Sequence, residues 1–281
     1  MSVIKQKTGL AALAVAVSLL AGCATSPDDL LSQFATNKET STAEEQLEAP
    51  VMLAIDNWYQ DPVFAETDCD SLSSKMVTDL VARYTVSQGT EDAGSEMMLM
   101  YTLSSALVNR SMLCISQALD LKDTTEQLLK EREILLSGSS LSRNEVEEHR
   151  LYSEEASDAI RQAAAEVDEL QPEQRKSLVI GIATFLAGGY ATGRLVDSGI
   201  DFAQDTADLA QGKGLTVGNL LSKVTSTFSG GKALYTVTTG MPEHVSNLYE
   251  TGTYFIDYAH NQDLDLPEDA TSQFMKVGAW L

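Results

Sequence analysis

Along most of this 281-residue chain, apolar positions recur three and four residues apart, the spacing of one buried helix face. Short polar breaks separate these runs. Ser41-Thr-Ala-Glu44 has the form of a capping box and predicts a first helix through Met52, Ile55 and Trp58, stopped by Asp61-Pro62. Asp68, Asp70 and Ser71 offer caps for a second helix with Leu72, Met76, Leu80 and Tyr84 on one stripe. A third is predicted from Glu91 to about Leu121, carrying Met97, Met98, Met100, Leu103, Leu107 and Met112. Thr124-Thr-Glu-Gln127 reads as the start of a fourth, and Ser137-Gly-Ser-Ser140 breaks the chain. Ser142-Arg-Asn-Glu145 opens a charged helix reaching Leu170, with Val146, Tyr152, Ala156, Ile160 and Ala164 inward.

The next run is different. Pro172 suits the first position of a helix, and from Leu178 to Gly193 no charge occurs. Gly181, Gly189 and Gly193 form one smooth stripe beside Ala183, Ala187 and Ala191, which lets another helix approach closely. These six residues are the candidate interface. The uncharged stretch covers about 24 Å as a helix, short of the roughly 30 Å hydrocarbon core of a bilayer, so a buried central helix is expected. Asp197, Asp201, Asp205 and Asp208 then share a face, and Gly212-Lys-Gly214 ends the helix. Leu215 to Phe228 predicts a shorter amphipathic piece. The stretch 232–239 reads as a strand or a helical turn, and Pro242 as the opening of a last helix through Val245, Leu248 and Phe255. The class is all-α, an irregular multi-helix bundle or a short array of helical hairpins, with a candidate subdivision near 138–142.

Before residue 24 the pattern changes meaning. Lys5 and Lys7 precede the uncharged segment Thr8–Leu20, and Leu20-Ala21-Gly22-Cys23 follows. Charge, apolar run and small residues are the order of a secretory signal peptide. The cysteine after Leu-Ala-Gly makes it resemble the signal of bacterial lipoproteins. That resemblance, carried by about 23 residues, implies cleavage before Cys23 and diacylation of its thiol. It also implies acylation, such as with palmitate, of the new amine. The expected divisions are a signal peptide over 1–22, a lipidated flexible tether over 23–43 and a helical periplasmic domain over 44–281. Ala24, where aspartate would resemble an inner-membrane retention signal, implies the periplasmic face of the outer membrane.

Loss of Lys5 and Lys7 leaves 17 basic against 41 acidic residues, a net charge of −24. Such a body repels nucleic acid and anionic headgroups, so membrane attachment falls to the acyl chains of Cys23. Beyond Cys23 only Cys69 and Cys114 remain, and an even pair in an oxidising compartment reads as a disulfide.

The search for chemistry yields little. His149, His244 and His260 are the only histidines, none within HExxH. His149 has Glu145, Glu147 and Glu148 nearby, on different sides of a helix, and is expected at the surface. Gly212-Lys213 and Gly231-Lys232 lack the remainder of a phosphate loop, and neither a Gly-x-Ser-x-Gly elbow nor Ser-x-x-Lys occurs. Asp263, Asp265, Glu268 and Asp269 lack calcium-loop spacing and read as a solvated loop. No catalytic residue, metal or cofactor is expected. The expected function is a non-catalytic, lipid-anchored scaffold or accessory subunit in envelope assembly, secretion or transport, with envelope proteins or further copies of itself as partners. The alternative is a carrier holding a lipid or other apolar ligand between helices, lined by Met97, Met98, Met100, Met112 and Phe185.

Overall fold

Helices account for the regular structure throughout the computed structural model, which describes residues 57–83, 93–167, 169–212 and 231–279. Cys23, the tether, the helix expected from Ser41 and the piece expected over 215–228 lie outside the described residues. Among the described residues eight α-helices follow in order: α1 Pro62–Ala65, α2 Ser74–Arg83, α3 Ala93–Ala118, α4 Lys122–Leu135, α5 Arg143–Glu166, α6 Pro172–Gly212, α7 Gly231–Asn261 and α8 Glu268–Phe274. Short 3-10 turns at Trp58–Gln60, Cys69–Ser71 and Val277–Ala279 complete them, and no strand occurs among the described residues.

The axis of the body is α3. Every side chain from Met97 to Ser116 is buried, so this helix is covered all round rather than along one stripe. Its most extensive neighbour is α6. The two come close because glycine leaves the room: a Cβ at Gly181 would stand 2.7 Å from Ile115 Cγ1, and one at Gly188 3.1 Å from the Val108 backbone nitrogen. α4, α5 and α7 pack around the remaining sides of α3. The Pro172–Leu195 part of α6 is long and apolar enough to cross a membrane, yet 72% of its 18-residue apolar window is buried inside the body.

Local signals explain most boundaries. Ser142 caps α5 with a full capping box: its hydroxyl accepts from the Glu145 amide, and its own amide donates to Glu145 Oε2 at 2.6 Å. Asp61 does more than stop a helix; its side chain accepts from the Val63 amide and, with Pro62 at the first position, starts α1. Three boundaries differ from expectation. Thr124 caps nothing, because α4 already starts at Lys122 and Thr125 turns inward to Ser116 at 2.9 Å. Ser73 rather than Asp68, Asp70 or Ser71 accepts from the Met76 amide at the start of α2. Pro242 does not open α7, and 232–239 is neither a strand nor a single turn, since one helix runs from Gly231 through the proline. Extending a formed helix costs far less than nucleating one, so the packed stretch beyond Pro242 carries the helix back across it.

The N-terminal strap, residues 57–72, is pinned across the body. Trp58 and Phe64 are buried edge to face at 5.2 Å. Arg110 donates to the Asp68 carbonyl at 2.6 Å, Arg132 donates to the Phe64 and Glu66 carbonyls, and Lys176 pairs with Asp70. The expected disulfide joins Cys69 to Cys114 with Cα atoms 5.5 Å apart, locking the strap to α3. Leu135 and Val146, on either side of the break near 138–142, and Leu141 within it belong to one apolar cluster.

Candidate functional site

A helix buried on all sides must satisfy its polar side chains internally. α3 does this in two ways. Thr102, Ser104 and Ser116 bond back to carbonyls of their own helix. Asn109 reaches outward: its Nδ2 donates to the Leu128 carbonyl at 3.0 Å and to Glu131 Oε2 at 2.6 Å, both on α4. The other Glu131 oxygen is hydrogen-bonded to Nδ1 of His149 on α5. Glu131 and His149 are 3% and 2% exposed. A buried carboxylate is tolerable only when paired and hydrogen-bonded, and these two partners supply that.

The cluster continues into α7. The His244 ring lies 5.8 Å from that of His149, and Tyr101 from α3 stands 6.0 Å and 6.4 Å from the two imidazoles. Burial pushes the His244 pKa down to about 3, with the charges of His149 and Arg150 acting in the same direction. Burial likewise pushes the Tyr101 phenol above its ordinary value. Two buried atoms here, Asn109 Oδ1 and His149 Nε2, have no hydrogen-bond partner among the described residues.

His244 also lines a cleft of about 180 Å³ between α5 and α7. Ser153, Ser157 and Thr251, each nearly fully buried, line it too, with Arg150 and Arg161 three helical turns apart on α5. Arg150 pairs with Glu243 at 3.4 Å, and Arg161 pairs with Asp158. A second void of about 10 Å³ borders Glu131 and His149, the room that one water needs.

In chemical terms Glu131–His149 matches the orienting and basic members of a nucleophilic triad. Both are sealed inside the body, so a substrate would have to displace a helix to reach them. Among the described residues, no three His, Cys, Asp or Glu side chains are placed to hold a metal ion. Comparison with protein families, curated proteins and solved structures finds no match for this chain.

The residues singled out from sequence fall into three places. Cys23 lies outside the described residues, and Cys69 and Cys114 are bonded to each other. Gly181, Ala183, Gly189, Ala191 and Gly193 are buried within this chain, and Ala187 is partly buried. Gly181 faces Ile115 and Cys114 of α3 in the same molecule, while Gly189 faces Phe274 of α8. Met97, Met98, Met100, Met112 and Phe185 are core residues, and none of them lines either of the two cavities just described.

His149 is the correction that matters most. Expected at the surface, it is 2% exposed. The glutamates beside it in sequence are not its partners; Glu131, a helix away, is. One signal was present: His149 sits three residues after Val146 and seven before Ala156, both on the buried stripe of α5. Ser153 and Ser157 continue that stripe, so a polar lane runs down an otherwise apolar face. The contribution of Glu131 and His244 needed the tertiary fold.

Proposed function

We propose that this chain is a lipid-anchored, non-catalytic scaffold or accessory subunit of the bacterial cell envelope, held at the periplasmic face of the outer membrane by acylated Cys23. The observation that carries the reading is Leu20-Ala21-Gly22-Cys23 in a chain whose two remaining cysteines stand at bonding distance. Such pairs persist in oxidising, exported compartments, which agrees with the address the lipobox implies. The acidic charge keeps the body from settling on anionic headgroups, leaving acyl chains as the membrane contact. The scaffold is favoured over the carrier because the methionines and Phe185 sit in packed core and line neither cavity described above. With the small-residue face of α6 covered inside the chain, partners are met by exposed faces such as the outer side of α5, where Leu151 is 50% exposed among charges.

Two measurements test this. Wild type is expected to take up a labelled fatty acid and to sediment with membranes, whereas Cys23→Ser does neither; equal labelling and fractionation of both would remove the anchor and the role with it. Native mass spectrometry of the extracted protein separates the two functions. A stoichiometric protein complex supports the scaffold, and a co-purifying apolar ligand beyond the anchor's own acyl chains supports the carrier.

A further inference from the structure

Two imidazoles and one carboxylate share the pocket where α3, α4, α5 and α7 meet. The carboxylate is already partnered: Glu131 accepts from Asn109 on one oxygen and is hydrogen-bonded to His149 on the other. The titratable and charged groups around His244 are Tyr101 from α3, His149 and Arg150 from α5, with Glu131 of α4 behind His149, and Glu243 on its own helix. Glu243 is bound to Arg150. Farther along the same cleft stand Glu154, Asp158 and Arg161 of α5 and Glu250 of α7. A proton arriving on His244 would therefore place a second cation beside Arg150, in a buried pocket whose one carboxylate is already hydrogen-bonded to Asn109 and His149.

The same ring lines the α5–α7 cleft, which gives a proton a route from water and gives a charged ring somewhere to go. Beyond residue 251 the Tyr254 hydroxyl donates to the Arg161 carbonyl of α5 at 3.1 Å, and apolar packing adds to the hold on α7. Phe255 packs edge to face with Phe185 of α6 at 5.0 Å, and Gly252 receives the ring of Phe274. Those packing contacts carry no titratable group. We propose that His244 is an acid-operated latch: on protonation it releases the α7 segment 243–251 from α3 and α5 and widens the cleft, while the rest of the helical body stays folded.

The sign follows from linkage. In the closed state His244 binds its proton far less readily than a solvated histidine does, so closure is fully favoured above the ordinary histidine value near 6.5. It weakens as pH falls below that value, the open population rising up to about tenfold per unit. From pH 7.5 to 5.0 the gain is about 30-fold. Segment-resolved hydrogen exchange on the full chain in detergent micelles, corrected for intrinsic rates, reads this directly. Opening of 243–251 is expected to rise about 30-fold relative to residues 99–116 of α3, and His244→Gln, which cannot be charged, is expected to stay flat. No relative change in wild type, an equal rise in His244→Gln, or loss of protection by all helices together would overturn the latch. Should His244→Gln fail to fold, wild type still decides when NMR of the labelled ring is added: titration of His244 near its ordinary value with protection of 243–251 intact would refute the proposal.

Discussion

Phe274 offers a measurable test of how the C-terminal helix is held. Its ring is fully buried and stacks on Tyr249 at 5.6 Å with planes 20° apart. It occupies a slot made by two glycines on different helices: a Cβ at Gly252 would stand 2.2 Å from Cζ, and one at Gly189 2.7 Å from Cε2. Phe274→Ala removes a buried aromatic ring, at a cost of about 4 kcal/mol. Gly252→Ala drives a methyl into the ring, an overpacking cost of about 1–3 kcal/mol, offset by about 1 kcal/mol of helix propensity. The double variant has no ring to collide with. Its new methyl fills part of the vacated slot and keeps the propensity gain, so it should cost only about 2–3 kcal/mol. The pair is therefore expected to be less destabilising than the sum of the singles by about 2 kcal/mol. Chemical denaturation of the disulfide-intact protein, followed by far-ultraviolet circular dichroism, measures all three variants against wild type. Additivity within about 0.5 kcal/mol would refute the reasoning, because it would mean that the ring and the glycine do not share the slot.

Two other variants address the buried pair and the strap. Glu131→Ala strands His149 and Asn109 and should cost about 3–5 kcal/mol, whereas Glu131→Gln keeps an acceptor for Asn109 and should cost about 1 kcal/mol; equal losses in the two variants would show that the carboxylate charge, which both remove, sets the cost rather than the hydrogen bond to Asn109. Reduction of Cys69–Cys114 should lower stability by about 4 kcal/mol in the chain-entropy account and expose 57–72 first in limited proteolysis, and an unchanged denaturation midpoint would contradict that.

The two kinds of information divide along physical lines. Hydrophobic period and polar breaks made the all-α class legible, because a buried helix face repeats every three or four residues whatever it packs against. The capping box at Ser142 and the cysteine pair were legible for the same reason: the first is local chemistry, and the second is forced by there being only two candidates beyond Cys23. Where α7 begins was not legible, since a proline weakens a helix locally while packing farther along decides whether the helix persists. Nor was the centrality of α3, whose serines, asparagine and arginine look like surface until other helices cover them.

The sequence alone determined the helical class and the pairing of Cys69 with Cys114. Tertiary structure alone decided that Gly181 and Gly188 of α6 are used against α3 and Gly189 against Phe274, and that Glu131, His149 and His244 share one buried pocket. The reason is distance along the chain. Periodicity reports what a residue does within its own helix, whereas Glu131, 18 residues before His149, and His244, most of a hundred residues beyond it, become neighbours only when separate helices pack.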